Sequence, residues 1–283
     1  MDDSIALRKL QLETLEILKM FKAYCEKHEL TWFLLSGTAL GAMRHGGFIP
    51  WDDDLDVGMP REDYERFLSL ARSDLPYGLH LDAPGFEPAL APMFSKLCLD
   101  GTVFETQETI EAGYSQGIFV DIIPLDRLAK DDGRSARQKN NSRFWQSMSY
   151  LWHAKTIVVP DKGVLGAVER TACRVAHYVV KALFSKSAIL KHYRKSIIDD
   201  HGELSENWIL LSWPHTKPFP TDVLMPVSYC AFEGLDMPVP GQPERYLELM
   251  YGDWNRLPPE DQRHTHLPLR IVYSDGSVWT RCQ

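Results

Sequence analysis

Residues 34–60 read LLSGTALGAMRHGGFIPWDDDLDVGMP. An apolar run ends in Ser36-Gly37-Thr38, a glycine-rich segment follows, and then come Asp52, Asp53, Asp54 and Asp56. Carboxylates crowded this closely repel one another unless a positive charge sits among them. Leu55 and Val57 alternate with the acids, which separates the segment from a solvated acidic tail. In an extended strand, Asp54 and Asp56 point to one face while Leu55 and Val57 anchor in the core on the other. Carboxylate oxygens on a rigid strand suit Mg²⁺ (or Mn²⁺), a hard cation that keeps waters and phosphate oxygens as its remaining ligands. An EF-hand calcium loop needs glycine at its sixth position and glutamate at its twelfth. Counted from Asp52, those positions are Val57 and Asp63, so that match fails.

A third acid stands in the apolar run GIFVDIIPL, residues 117–125, where Asp121 lies between Val120 and Ile122. Beside the first strand it joins the metal-binding set; alone, it reads as a buried, hydrogen-bonded acid. Ser36-Gly37-Thr38 falls where a strand ends and a helix begins, so backbone N–H groups and hydroxyls can approach a phosphate. Arg44, His45 and Lys96 are candidates to neutralise phosphate charge, although singly each also reads as a surface or strand residue. Gly46-Gly47 reads as a flexible hinge. His264-Thr265-His266 lacks a nearby third metal ligand.

Outward from this stretch, residues 5–29 carry an apolar stripe at three- and four-residue spacing, which predicts an amphipathic helix. Residues 31–35 and 55–59 predict strands, 38–44 a short helix, and Pro60 opens another helix. Strands at 94–99 and 102–105 predict a hairpin turning at Asp100-Gly101. Residues 127–143 are polar and read as a linker or the exposed start of a helix, and 144–200 read as mainly helical. Residues 208–240 return to strand-like composition, 243–251 predict a helix, and the proline-rich tail from Asn255 reads as irregular. Residues 163–195 combine apolar positions with a cluster of Arg and Lys. This is either the surface of a helical subdomain or a basic amphipathic face for anionic lipid.

The 283 residues suffice for a sizeable core, and 44% hydrophobic with 25% charged residues is ordinary for a globular protein. A net charge of −8 disfavours a nucleic-acid partner held by a broad basic surface. The five cysteines form no Cys-x-x-Cys pair, which fits a reducing compartment. The acidic, amphipathic N-terminus does not read as a signal peptide, and no run of about 18 apolar residues marks a membrane span. A cytoplasmic location is expected, or a peripheral one on the inner face of the membrane through residues 163–195.

Taken together, Ser36-Gly37-Thr38, the string GAMRHGGFIPWDDDLDVGMPREDYERF, the later FVDIIPLD and the C-terminal PERYLELMYGDWNRLPPEDQRHTH resemble the LicD family. The resemblance brackets residues 30–125 and 238–266; residues 127–205 carry no matching motif. It implies an α+β fold with a polymerase β-type nucleotidyltransferase core, a mixed sheet flanked by helices, carrying a helical insertion. The implied division is a catalytic core over 1–126, a basic helical insertion over 127–205, and a C-terminal part, 206–283, that completes the core. The family's pattern falls on Leu35 to Thr38, on Asp54 to Val57 and on Asp121; Thr38 stands where the wider superfamily has Gly or Ser.

The implied reaction moves phosphocholine or an alditol phosphate from a CDP-linked donor to a sugar hydroxyl of a surface glycan, such as a lipopolysaccharide, teichoic acid or capsule, releasing CMP. Asp54, Asp56 and Asp121 are the implied catalytic and metal-binding residues. Ser36, Gly37, Thr38, Arg44, His45 and Lys96 are the implied substrate contacts. Competing readings are a nucleotidyltransferase that releases pyrophosphate and a non-catalytic cation-binding module.

Overall fold

The computed structural model describes residues 2–154, 164–198, 202–213, 217–263, 265 and 267–281, with the side chains of 164–170 left aside. Chain order is α1 (Asp3–Lys27), β1 (Phe33–Leu34), α2 (Ser36–His45), β2 (Asp56–Pro60), α3 (Arg61–Ala71), β3 (Leu79–Asp82), β4 (Ser95–Leu99), β5 (Val103–Glu105), α4 (Gln107–Ala112) and β6 (Phe119–Ala129). Three helices follow, α5 (Asp132–His153), α6 (Val164–Leu183) and α7 (Lys186–Ile197). The remainder is β7 (Leu204–Ile209), β8 (Phe219–Pro220), α8 (Thr221–Leu224), β9 (Ser228–Phe232), β10 (Leu235–Val239), α9 (Pro243–Tyr251), β11 (Arg270–Val272) and β12 (Val278–Thr280).

The main sheet is mixed, in the order β1-β2-β6-β4-β3, with β7 and β8 continuing from the far end of β6. β2 and β6 run parallel and all other pairs in this sheet are antiparallel. Helix α1 buries Leu10, Ile17, Leu18 and Phe21 in the main core, as its apolar spacing predicts. Helix α3 starts after Pro60, with Glu62 and Asp63 in its first turn where the helix dipole favours negative charge. The fold is thus α+β, a mixed sheet flanked by helices. The expected boundaries at 126/127 and 205/206 fall inside β6 and β7, which pair with each other.

Three expectations fail, each for a physical reason. Strands β4 and β5 do not form a ladder, although Gly101 takes the positive φ of a turn (75°). Strand β5 pairs instead with β11, and Leu99 N–H donates to Ile118 O at 2.8 Å. The C-terminal tail is correspondingly not irregular: β11 and β12 form a hairpin fastened to α1, where Tyr273 Oη donates to Ala6 O and Trp279 Nε1 to Asp3 Oδ1. The polar start of α5 is not simply exposed. Ser135, Gln138, Ser142, Gln146, Ser149 and His153, at three- and four-residue spacing, form its buried stripe. These side chains satisfy backbone groups of neighbouring segments: Gln138 accepts from Ala129 N–H at 2.8 Å and donates to Ile197 O, Gln146 donates to Leu211 O, and Ser149 donates to Ala91 O.

Helices α5 and α7 share a second, smaller apolar cluster with β6 and β7, built on Leu128, Ile189, Tyr193, Ile197 and Ile209. At its border, Arg61 at the start of α3 grips buried Asp126 on β6 with two hydrogen bonds of 2.7 and 2.9 Å. Removing one partner strands the other charge, whereas replacing both with apolar groups need not. Asp126→Ala is therefore expected to destabilise the protein by roughly 3 kcal/mol, and Arg61→Met with Asp126→Leu to recover most of that loss, measured by urea denaturation.

Candidate active site

The turn after β1 is bound to the strand that follows it. Leu35 N–H donates to Asp56 O at 3.0 Å, and Asp56 N–H donates to Thr38 Oγ1 at 2.8 Å. Buried Thr38 is therefore a brace between helix α2 and strand β2. Between them Ser36 has φ +48°, a left-handed conformation that costs a non-glycine residue energy. Its N–H is held by the hydroxyl of Tyr246 on α9, at 3.0 Å. A Cβ on Gly37 would lie 3.0 Å from Asp52 Oδ2, so the Asp52 carboxylate packs against the first turn of α2.

Register then lines up the charged residues. Asp56 on β2 is the pairing partner of Asp121 on β6, and Asp121 is the pairing partner of Lys96 on β4. Asp121 N–H donates to Leu55 O at 2.9 Å, which extends the pairing beyond the strand's first residue. Lys96 Nζ donates to Asp121 Oδ1 at 2.7 Å and stands 3.5 Å from the centre of the Phe119 ring. Lys96 and Asp121 are buried, Asp52 and Asp56 are half-buried, and Asp54 is exposed just before β2 begins.

Burial raises the carboxyl pKa of Asp56 well above its ordinary value; Asp54, Asp121 and Asp52 add to the rise and Lys96 opposes it. Asp121 is also raised by burial, with Lys96 pulling it back. Burial, then Asp54 and Asp53, push Asp52 up to about 8. The donor set is hard oxygen with excess negative charge, the chemistry that a divalent cation such as Mg²⁺ fits. Among the described residues, however, no three of these carboxylates offer donor atoms mutually within 4.8 Å, and Lys96 supplies the cation beside Asp121.

Two cavities flank this row. One, of about 370 Å³, is lined by Leu40, Arg44, Trp51, Tyr251, Trp254 and Arg256. The Arg263 guanidinium covers the Trp51 ring at 5.2 Å. Burial and then Arg263 lower the pKa of Arg44, whose Nη1 donates to Trp254 O at 3.2 Å. Burial, Tyr246, Asp56, Asp52 and Asp54 raise the Tyr251 phenol, so this cavity borders the acids. The other cavity, of about 250 Å³, is lined by Lys96, Phe104, Tyr114, Phe119 and Tyr150 among others. Burial, then Asp121, push the Tyr150 phenol up to about 12.

The structure thus brings Ser36, Gly37, Thr38, Asp52, Asp56, Asp121 and Lys96 to one end of the sheet. Arg44 is set apart from them, two helical turns along α2. His45 stands exposed at the helix end, edge-on to Trp51. Gly46-Gly47 is not a free hinge. Gly46 ends α2 with φ +68°, and the loop is tied to Glu233, whose backbone N–H donates to Gly46 O and whose carboxylate accepts from Phe48 N–H. His264 and His266 lie outside the described residues. Sequence reasoning did not single out Trp51, which lies within residues 34–60 themselves, nor Tyr150, Tyr246, Tyr251 and Arg263, which reach the site from other segments. The only available signal was their place in the C-terminal run from Pro243 and in the helical segment.

The LicD/FKTN/FKRP nucleotidyltransferase domain matches residues 29–165. The lipopolysaccharide cholinephosphotransferase LicD of Haemophilus influenzae is 27% identical over 277 residues, covering 93% of this chain and 96% of that protein. Uncharacterised proteins of Rickettsia typhi and Rickettsia prowazekii are 41% and 42% identical over 64 and 60 residues, covering 23% and 21% of this chain and 18% and 20% of their own lengths. The protein is an enzyme of the phosphotransferase class. Over residues 29–165 the chain resembles the LicD family, and it is similar to one LicD protein along most of its length.

The raised pKa of Asp52 has a defined sign. Between its ordinary 3.8 and about 8, the folded state binds a proton that the unfolded chain has released, so this group's contribution to stability falls as pH rises through that window. In chelator-treated protein, the urea midpoint is expected to fall less from pH 5 to pH 8 in Asp52→Asn than in the wild type, with the variant the more stable at pH 8.

Proposed function

We propose that the protein transfers phosphocholine from a CDP-linked donor to a sugar hydroxyl of a cell-surface glycan and releases CMP. The carrying observation is the row Asp56–Asp121–Lys96 between two cavities of unlike character. The name of the Haemophilus influenzae relative favours phosphocholine over an alditol phosphate, and a lipopolysaccharide as the acceptor glycan. We read the parallel β2–β6 pair, with the β1–α2 turn beside it, as the core of a nucleotidyltransferase fold. In this reading residues 127–205 are an insertion and 206–283 complete the catalytic domain.

Asp54, Asp56 and Asp121 would hold Mg²⁺ or Mn²⁺, whose charge would counter that of the donor's diphosphate. The Ser36 N–H is taken by the Tyr246 hydroxyl, so in the first turn of α2 the N–H groups of Gly37 and Thr38 are the ones to meet phosphate oxygens. Arg44, with His45 beside it, adds positive charge from the end of that helix, and Trp51 under Arg263 offers a flat surface for the nucleotide. An Asp121 carboxylate oxygen takes the proton of the acceptor hydroxyl. The acceptor oxygen bonds to the phosphorus of phosphocholine, and the P–O bond to CMP breaks with its electron pair leaving on CMP. Lys96 positions Asp121 and balances its charge. Positioning and charge complementarity are the main sources of rate in such transfers.

Asp56→Asn and Asp121→Asn are each expected to lower kcat at least about 100-fold while the fold persists. Turnover would be followed as CMP release from CDP-choline, CDP-glycerol and CDP-ribitol with Mg²⁺ and an acceptor glycan. Pyrophosphate release from a nucleoside triphosphate would point instead to nucleotidyl transfer, and unchanged turnover in both variants would remove the catalytic assignment.

A peripheral contact with anionic lipid belongs to the same proposal. Among the described residues, no helix is long and apolar enough to cross a membrane. Helix α6 exposes Val175, Tyr178, Val179 and Leu183 along one face, with Arg174 beside them. Two of its neighbouring lysines are engaged within the protein: Lys181 lies 4.8 Å over the Trp152 ring, and Lys186 donates to the carbonyls of Glu87 and Pro88. Co-flotation with anionic vesicles is therefore expected to fall on Val179→Asp and on Arg174→Glu; equal flotation of wild type and both variants would refute this contact.

A further inference from the structure

A second cluster of metal-ligating side chains sits on the same sheet, outside the residues assigned above. On the antiparallel pair β3–β4, His80 is the register partner of Cys98 and Asp82 that of Lys96. Alternation along each strand puts His80, Asp82 and Cys98 on one face. One ring nitrogen of His80, one carboxylate oxygen of Asp82 and the Cys98 Sγ lie mutually within 4.8 Å, the only such set of three among the described residues. Sγ and Oδ2 are 3.4 Å apart, and Nε2 and Oδ2 are 3.8 Å apart. Tetrahedral zinc, with bonds of about 2.0–2.3 Å to N, O and S, places donor atoms about 3.3–3.7 Å from one another.

The surroundings fit a bound cation. His80 Nδ1 is 2.6 Å from Asp100 Oδ1. With the proton on Nδ1, that bond leaves Nε2, on the Asp82 side, as the free lone pair, the arrangement in which a carboxylate orients a metal-binding histidine. Buried Asp82 is met by the Tyr114 hydroxyl and the Cys98 thiol, both uncharged donors. Cys98 is fully buried, while the His80 side chain is 43% exposed and gives an ion a way in.

We propose that His80, Asp82 and Cys98 form a zinc-class metal site, with a water or an external ligand in the fourth position. One thiolate, one imidazole and one carboxylate select a borderline-soft ion such as Zn²⁺ over Mg²⁺. Binding releases the Cys98 thiol proton and joins edge strand β3 to β4 through the metal as well as through the sheet.

The test is titration of the chelator-stripped full chain with Zn²⁺ and with Co²⁺, in excess Mg²⁺ to occupy hard-oxygen sites. The expected result is one equivalent bound, a thiolate-to-cobalt charge-transfer band, and a higher Tm with Zn²⁺. Band and Tm shift are lost in His80→Ala and Cys98→Ser and kept in Cys230→Ser and Asp56→Asn. His80→Ala decides if Cys98→Ser does not fold, because His80 is partly exposed and its loss spares the core. Absence of the band in the wild type, or its survival in His80→Ala, overturns the proposal. Because no readout is transferase activity, this proposal and the proposed function can fail separately.

Discussion

The site depends on one constraint: negative charge is gathered where water is scarce, and the backbone leaves it no room to disperse. Asp56 has its N–H on Thr38 and its C=O on Leu35, so it cannot move without breaking the join between α2 and β2. Asp121 is its register partner on a strand paired on both sides. Two buried or half-buried carboxylates held side by side, with Asp52 and Asp54 close by, make a field that one lysine only partly balances. Such a site keeps a standing demand for positive charge. A preorganised demand of this kind is what phosphoryl transfer uses, since charge arranged before the reaction needs no reorganisation during it.

The same constraint explains the layers around the sheet. Strand β6 is central, and β7 returns to pair with its far end after the helices α5, α6 and α7. Helix α5 closes over the sheet with a polar stripe. An apolar stripe there would leave Ala129 N–H and the carbonyls of Ile197, Leu211 and Ala91 without the partners that Gln138, Gln146 and Ser149 provide. Each such bond contributes about 1 kcal/mol net, but an unmade buried one costs more. The resulting wall brings Tyr150 to the cavity beside Lys96. The helical segment thus contributes a surface to one side of the acidic row.

Much of this was legible in the chain, and the limits are physical. The alternation of Leu55, Asp56, Val57, Gly58 and Met59 points to the strand that β2 forms over Asp56–Pro60, because side chains alternate with a period of two, while Asp54 falls just outside it. The stripe of α1 and the Pro60 helix start are equally local. What stayed hidden was set by distant partners. The Asp100-Gly101 turn predicts a hairpin, but Val103 to Glu105 pair with Arg270 to Val272, a competitor more than 160 residues away. Buried polar stripes also defeat hydrophobic periodicity, so α5 read as exposed. Lys96 reads as a strand residue with a wet head group until the register puts it opposite Asp121.

The long N-terminal motif is therefore necessary to the site without being sufficient for it. Ser36 keeps its positive φ because Tyr246 holds its N–H, and Tyr246 is a fully buried residue of a helix some 200 residues later. Arg44 keeps its place against a carbonyl of Trp254, and Trp51 is covered by Arg263. A strained turn held only by its own sequence would relax, since such conformations persist only where surrounding contacts over-determine them. Helix α9 and the residues just after it, through Trp254 and Arg263, return to the motif with which the site began. Those returning contacts hold the α2 turn against the acids, and through Trp51 and Arg44 they shape the cavity beside them.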